Sequence, residues 1–177
     1  MPSLTIVSGC PGSGKTTLSA ALAAALPTGL HIPSDLFYGF PTRPIDPTRP
    51  ESQHQNTVIM RALGRAARTF AEGGYDVVLD GVVGPWFLPV LVAELGDAAP
   101  ISYVLLEVPE AAAVERVRRR DEPGASPGVR HIVAAFADAP GFDAHRIDAR
   151  ALSPEALLAV VRDGIAARRF ALPPRPA

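Results

Sequence analysis

Short runs of apolar, largely β-branched residues alternate with longer stretches whose apolar positions recur at helical spacing. That alternation predicts an α/β domain with a parallel sheet. Residues 3–8 (SLTIVS), 30–33 (LHIP), 76–80 (DVVLD), 101–108 (ISYVLLEV) and 145–148 (HRID) read as strands. Residues 17–26 form an alanine- and leucine-rich helix stopped by Pro27. Residues 52–72 read as a long helix with Val58, Ala62, Leu63, Ala66, Ala67 and Phe70 at helical spacing, ended by Gly73 and Gly74. Further helices are expected over residues 86–95, from Pro109 and Glu110 through Arg120, and over residues 129–137. The last helix opens at Ser153-Pro154-Glu155, with serine as N-cap and proline in the first turn. Residues 40–50 carry Pro41, Pro44, Pro47 and Pro50 and read as a connector long enough to cover a substrate. Residues 121–128 read as a loop, and residues 171–177 as a frayed proline-rich tail behind a single domain of residues 1–170.

Composition narrows the picture. A chain of 177 residues, 47% apolar and with net charge −1, builds one sizeable core and is neither disordered nor basic enough to bind nucleic acid by bulk charge. One cysteine excludes an internal disulfide, and the four histidines show no zinc-ligand spacing. No leader-like segment and no membrane-length apolar run is found, so a cytoplasmic location without membrane attachment is expected. Nothing in the sequence demands an assembly, and a monomer is expected.

The chemistry concentrates in one place. Lys15 is the only lysine; the other sixteen basic residues are arginine. It sits in Gly9-Cys10-Pro11-Gly12-Ser13-Gly14-Lys15-Thr16, which fits G-x-x-x-x-G-K-[ST] between a predicted strand and a predicted helix. Glycines let the backbone wrap a phosphate, and the amides from Gly12 through Thr16 and Thr17, with the helix start, face the anion. Lys15 would bridge the β- and γ-phosphates of a nucleoside triphosphate, and the Thr16 hydroxyl would hold Mg²⁺. Asp80 ends an apolar strand in the Walker B manner and is the second metal candidate; a strand-end capping role is its alternative. Gly81 after it would allow close backbone approach to substrate.

The P-loop, an aspartate after the second strand, "DVVLDG" and "VPEAAAVERVRRR" together resemble the small P-loop kinases, a group that includes adenylate, shikimate and gluconate kinases. Size and the "PSDLF" segment resemble most the chloramphenicol phosphotransferase and zeta-toxin-like branch. The resemblance covers nearly the whole chain and implies a five-stranded parallel sheet in the order 2-3-1-4-5, helices on both faces, and ATP with Mg²⁺. It implies transfer of a γ-phosphoryl group to a hydroxyl of a small molecule, an antibiotic or a metabolite. On the same resemblance Asp35 is the base; a helix cap is the alternative that its position offers. Arg116 would stack on adenine and Arg120 would reach the transferring phosphates, a division that suits the planar guanidinium. Arg118 reads as solvated and Arg119 as ambiguous. Residues 121–128 then become a lid. Phe37, Tyr38, Phe40, Arg43, Arg49, His54, Trp86 and Phe87 come from segments that flank the acceptor. Two other functions compete: a kinase of polynucleotide or RNA ends, disfavoured by the net charge, and a partner-dependent ATPase or nucleotide switch.

Overall fold

The structure, a computed structural model, describes residues 2–120, 126–138, 140–150 and 152–173. Strands β1 (Leu4–Gly9), β2 (Gly29–Pro33), β3 (Asp76–Gly81), β4 (Ile101–Glu107) and β5 (Arg146–Asp148) form one parallel sheet in the order β2-β3-β1-β4-β5. The expected strand order is thus the observed one. β1 is buried at all six positions and β3 from Val77 to Gly81. Unbroken apolar runs are what a sheet covered on both faces requires.

The helices are α1 (Lys15–Ala24), α2 (Asp35–Tyr38), α3 (Gln53–Glu72), α4 (Leu88–Leu95), α5 (Glu110–Arg120), α6 (Ser126–Ala137) and α7 (Pro154–Ala166). α1 packs on β2, β3 and α7, while α3 packs on α4 and β3. The result is a three-layer α/β/α domain. The buried residues of α3 are Asn56, Ile59, Met60, Leu63, Gly64, Ala67 and Ala71, a set that shares Leu63 and Ala67 with the stripe expected from sequence. Val58 and Phe70 are exposed, because the apolar face is rotated by about one residue from the one they would define. Gly64 lets α4 come close: a Cβ there would lie 3.0 Å from the Leu91 carbonyl oxygen.

Three boundaries differ from the sequence reading. The helix after β3 begins at Leu88, so Trp86 belongs to the preceding turn. α6 starts at Ser126, so residues 126–128 are helix rather than lid loop, and residues 121–125 lie outside the described residues. The tail begins later than residue 171. Tyr103 N–H donates to Phe170 O at 2.8 Å, Leu172 N–H to Ile101 O at 3.0 Å, and Ala171 bridges Ser102. These bonds complete the open side of β4 where β5 does not reach, and Phe170 is fully buried there. Ser153 caps α7 as expected, its Oγ accepting from Ala156 N–H at 3.2 Å.

Candidate active site

The sheet order leaves its crevice at the C-terminal end of β1, where the chain turns into α1. Gly9 has φ 147° and a Cβ there would sit 2.5 Å from Leu106 O, so no side chain fits. Gly12 and Gly14 have φ 81° and 95°, the left-handed region open to glycine. Lys15 Nζ donates to Cys10 O at 3.1 Å, folding the side chain back over the loop. Ser13 Oγ is buried and has no partner among the described residues. A buried hydroxyl awaiting a partner, beside a nest of amides at a helix start, fits a polyphosphate. Pro11 lies on the rim of this loop; Thr16 and Thr17 open α1 with exposed side chains.

Arg116, on α5, donates from Nη1 to Gly12 O at 3.1 Å, which places its guanidinium against the phosphate loop. Arg118 and Arg119 both pair with Glu115 on their own helix, at 3.5 and 2.8 Å. The Arg120 side chain lies outside the described residues.

Asp80 is 2% exposed at the end of β3. Its Oδ1 accepts from Thr16 Oγ1 at 3.2 Å, and its Oδ2 lies 2.5 Å from His31 Nε2. A buried carboxylate needs such partners. His31 was not singled out in the sequence. The β2–β3 register pairs Pro33 with Asp80 and His31 with Val78, which puts His31 on the same sheet face, one pleat away. Thr16 and Asp80 therefore supply hard oxygen ligands next to the phosphate loop, a set that fits Mg²⁺ held jointly with a nucleotide. Among the described residues no group of three or more His, Cys, Asp or Glu is placed to hold a metal by itself.

Beyond Pro11 lies a cavity of about 530 Å³. Asp35, at the start of α2, opens onto it, with Tyr38, Arg49, Trp86 and Phe87. Burial, reinforced by the Asp35 carboxylate, pushes the Tyr38 phenol up to about 12, so it remains a donor at neutral pH. The far wall is β3's following turn, held by its backbone: Ser8 Oγ donates to Val83 O at 2.9 Å and accepts from Val83 N–H at 3.1 Å. Tyr103 OH donates to Val83 O at 2.8 Å. The roof is the proline-rich segment together with α6, which supplies His131 and Ile132. Of the other acceptor-side candidates, Phe37 packs against the core and against Phe40. Neither ring lines the cavity, nor do Arg43, His54 and Gly81. The close approach at Gly81 is made by Ser34, whose Oγ would lie 2.2 Å from an added Cβ, not by substrate.

On the other side of the loop a second cavity, of about 310 Å³, is lined by Cys10, Pro109, Phe136, Asp148 and Arg150 among others. Hydrogen bonds from Arg150 hold the Asp148 carboxyl down to about 2. Burial pushes the Cys10 thiol up, against the nearby Lys15.

No curated protein matches the chain. Among solved structures, a sugar kinase from Janibacter sp. HTCC2649 superposes with TM-score 0.68 at 20% identity, over 94% of this chain and 95% of that one. The tunicamycin resistance protein of Deinococcus radiodurans gives 0.68 at 19%, over 98% and 100%. A chain of the Pnkp1/Rnl/Hen1 RNA repair complex gives 0.60 at 19%, over 77% of this chain and only 44% of its own. At these identities the likeness is one of fold. A family model described as "AAA domain" matches residues 4–139, from the first residue of β1 to just past the end of α6, and so takes in the P-loop, Asp35, Asp80 and Arg116. The chain belongs to that AAA-domain family of P-loop proteins and has the fold of the small P-loop kinases.

Proposed function

We propose that the protein transfers the γ-phosphoryl group of ATP to a hydroxyl of a small molecule. One observation carries the reading: the phosphate loop stands between two cavities, Cys10 lining one and Pro11 the other, and Asp35 opens onto the second. A donor nucleotide and an acceptor thus have separate rooms that meet at the phosphates. The nucleoside would occupy the smaller cavity, with Arg116 beside the loop. Lys15 and the loop amides grip the β- and γ-phosphates. Thr16 and Asp80 would hold Mg²⁺, which would supply charge neutralisation on the transferring group. The acceptor oxygen bonds to the γ-phosphorus as the bond to the β–γ bridging oxygen breaks, ADP leaves, and Asp35 takes or orients the hydroxyl proton. Arg120 enters this scheme on the family resemblance alone, as the second arginine near the phosphates. The roof of proline segment and α6 excludes water, which would otherwise compete as acceptor.

The test is Asp35→Asn. ATP affinity by calorimetry is expected to stay within about twofold while acceptor-dependent turnover falls by roughly 10² or more, the range typical of a lost general base. Undiminished turnover would remove Asp35 from the chemistry.

A further inference from the structure

The acceptor cavity contains a platform. Trp86 is 43% exposed although the ring is fixed from behind. It packs on Phe136 of α6 in a tilted contact, with centroids 5.2 Å apart and planes at 48°. Gly84 lies under its edge: an added Cβ would stand 2.4 Å from the indole ring. Two residues before Gly84 comes the wall residue Val82, and Val83 between them is anchored by Ser8 and Tyr103. A large aromatic held rigid yet left open to a cavity is pre-formed for a ring to lie on. Among the described residues that line it, the permanent charges are one carboxylate, Asp35, and one guanidinium, Arg49, which offset each other. The remaining wall joins apolar Phe87, Ile132 and prolines to polar side chains such as Thr48, Gln53 and Asn56, which suits an amphipathic ligand. Among the described lining residues a polyanion or a long strand finds no cationic track, and the volume is that of a small-molecule site.

On the kinase reading above, we infer that the acceptor is an uncharged amphipathic alcohol carrying a planar apolar ring, which stacks on Trp86 while its hydroxyl faces Asp35. Trp86 is the specificity-determining residue, and Gly84 and Phe136 are positioning residues for it. The ring is recognised by area and stacking, the hydroxyl by the carboxylate, and no charge on the acceptor is required.

The experiment measures acceptor-dependent ADP release with matched probes: phenyl β-glucoside against methyl β-glucoside, 2-phenylethanol against ethanol, with gluconate and a 5′-hydroxyl oligonucleotide alongside. The ring-bearing member of a pair is expected to show about tenfold or higher kcat/KM, chiefly through KM, as a stacking contact of ordinary strength would give. In Trp86→Ala that ratio falls toward one; Trp86→Phe restores most of it; Gly84→Ala, which displaces the indole, lowers it in part. ATP affinity reports that each variant is folded. Equal use of the paired probes, a preference for gluconate or the oligonucleotide, or a ratio unmoved in Trp86→Ala overturns the inference while the kinase reading stands. ATP binding with no ADP release stimulated by any probe removes both.

Discussion

His31 and Asp80 are 49 positions apart and meet only because β2 lies beside β3. The histidine takes one oxygen of the carboxylate and leaves the other facing Thr16. On the proposed function it would fix which oxygen is turned toward Mg²⁺, a supporting role common beside metal ligands. In His31→Leu the buried Oδ2 loses its partner, and denaturant unfolding is expected to show a loss of about 1–3 kcal/mol. The same variant should raise the magnesium concentration for half-maximal turnover several-fold, and His31→Asn, which keeps a donor, should raise it less. Lys15, Thr16 and Asp80 were legible in the sequence because their meaning lies in local spacing: a glycine loop before a helix, an acid ending an apolar run. His31 was not, since its meaning depends on strand register, although the expected order 2-3-1-4-5 already put its strand next to that of Asp80. Gly81 was legible as a place of close approach, but not what approaches: Ser34 is held against it by a Ser34 N–H to Asp80 O bond of 2.8 Å.

At the scale of elements, the proline-rich segment is a strap tied down by the first turn of α3. Asn56 Nδ2 donates to Pro47 O at 2.9 Å, Ser52 Oγ to Arg49 O at 2.6 Å, and the Gln55 amide bonds both backbone groups of Ile45 at 2.8 Å. Within it Asp46 accepts from Thr48 N–H and Oγ1, which holds its carboxyl below the usual range. The strap meets α6 at Gly128, where an added Cβ would stand 2.9 Å from Thr48 Cγ2. Asn56→Ala removes one of the two donors to Pro47 O, leaving Ser52 Oγ at 3.0 Å, and a side chain that lines the cavity, so the acceptor KM should rise several-fold with ATP affinity unchanged. Its stability cost is expected near 1 kcal/mol, the net worth of a typical hydrogen bond, measured by chemical denaturation. Four prolines announced a connector; they did not announce its anchors, because a tether of this kind is written in the polar residues of the helix that follows. The start of α6 was hidden for a related reason: Pro127 and Gly128 read as breakers, yet proline is compatible with a first helical turn.

For the molecule as a whole, the C-terminal segment acts as a late-added strand fragment sealing β4. Phe170 is fully buried against Gly164 of α7. Phe170→Ala should cost about 3–5 kcal/mol by the cavity it leaves, read as a lowered urea midpoint. Alkaline pH tests the core from another direction. Burial pushes the Tyr103 phenol up to about 12, opposed weakly by its bond with Ser8 and by Arg146, and Tyr38 is raised similarly. In the unfolded chain a tyrosine ionises near about 10. The folded state therefore binds more protons between these values, and stability is full below about pH 10 and declines as pH rises toward about 12. Tyr103→Phe should flatten that decline, at the expense of the bond to Val83 at every pH. The core that carries these phenols was readable from apolar runs, whereas the docking of Phe170 beside β4 was not, since proline-rich ends look alike whether tethered or loose.

The grip of Ser8 and Tyr103 on a single peptide group has a wider meaning. Ser8 belongs to the strand that feeds the phosphate loop, and Tyr103 to its neighbour. On the proposed function, donor and acceptor compartments would thus be mounted on one stiff chassis, and the gap a phosphoryl group must cross would be a property of the sheet. On that reading, strap and α6 could be exchanged for others, changing what the protein accepts as cargo without resetting that gap.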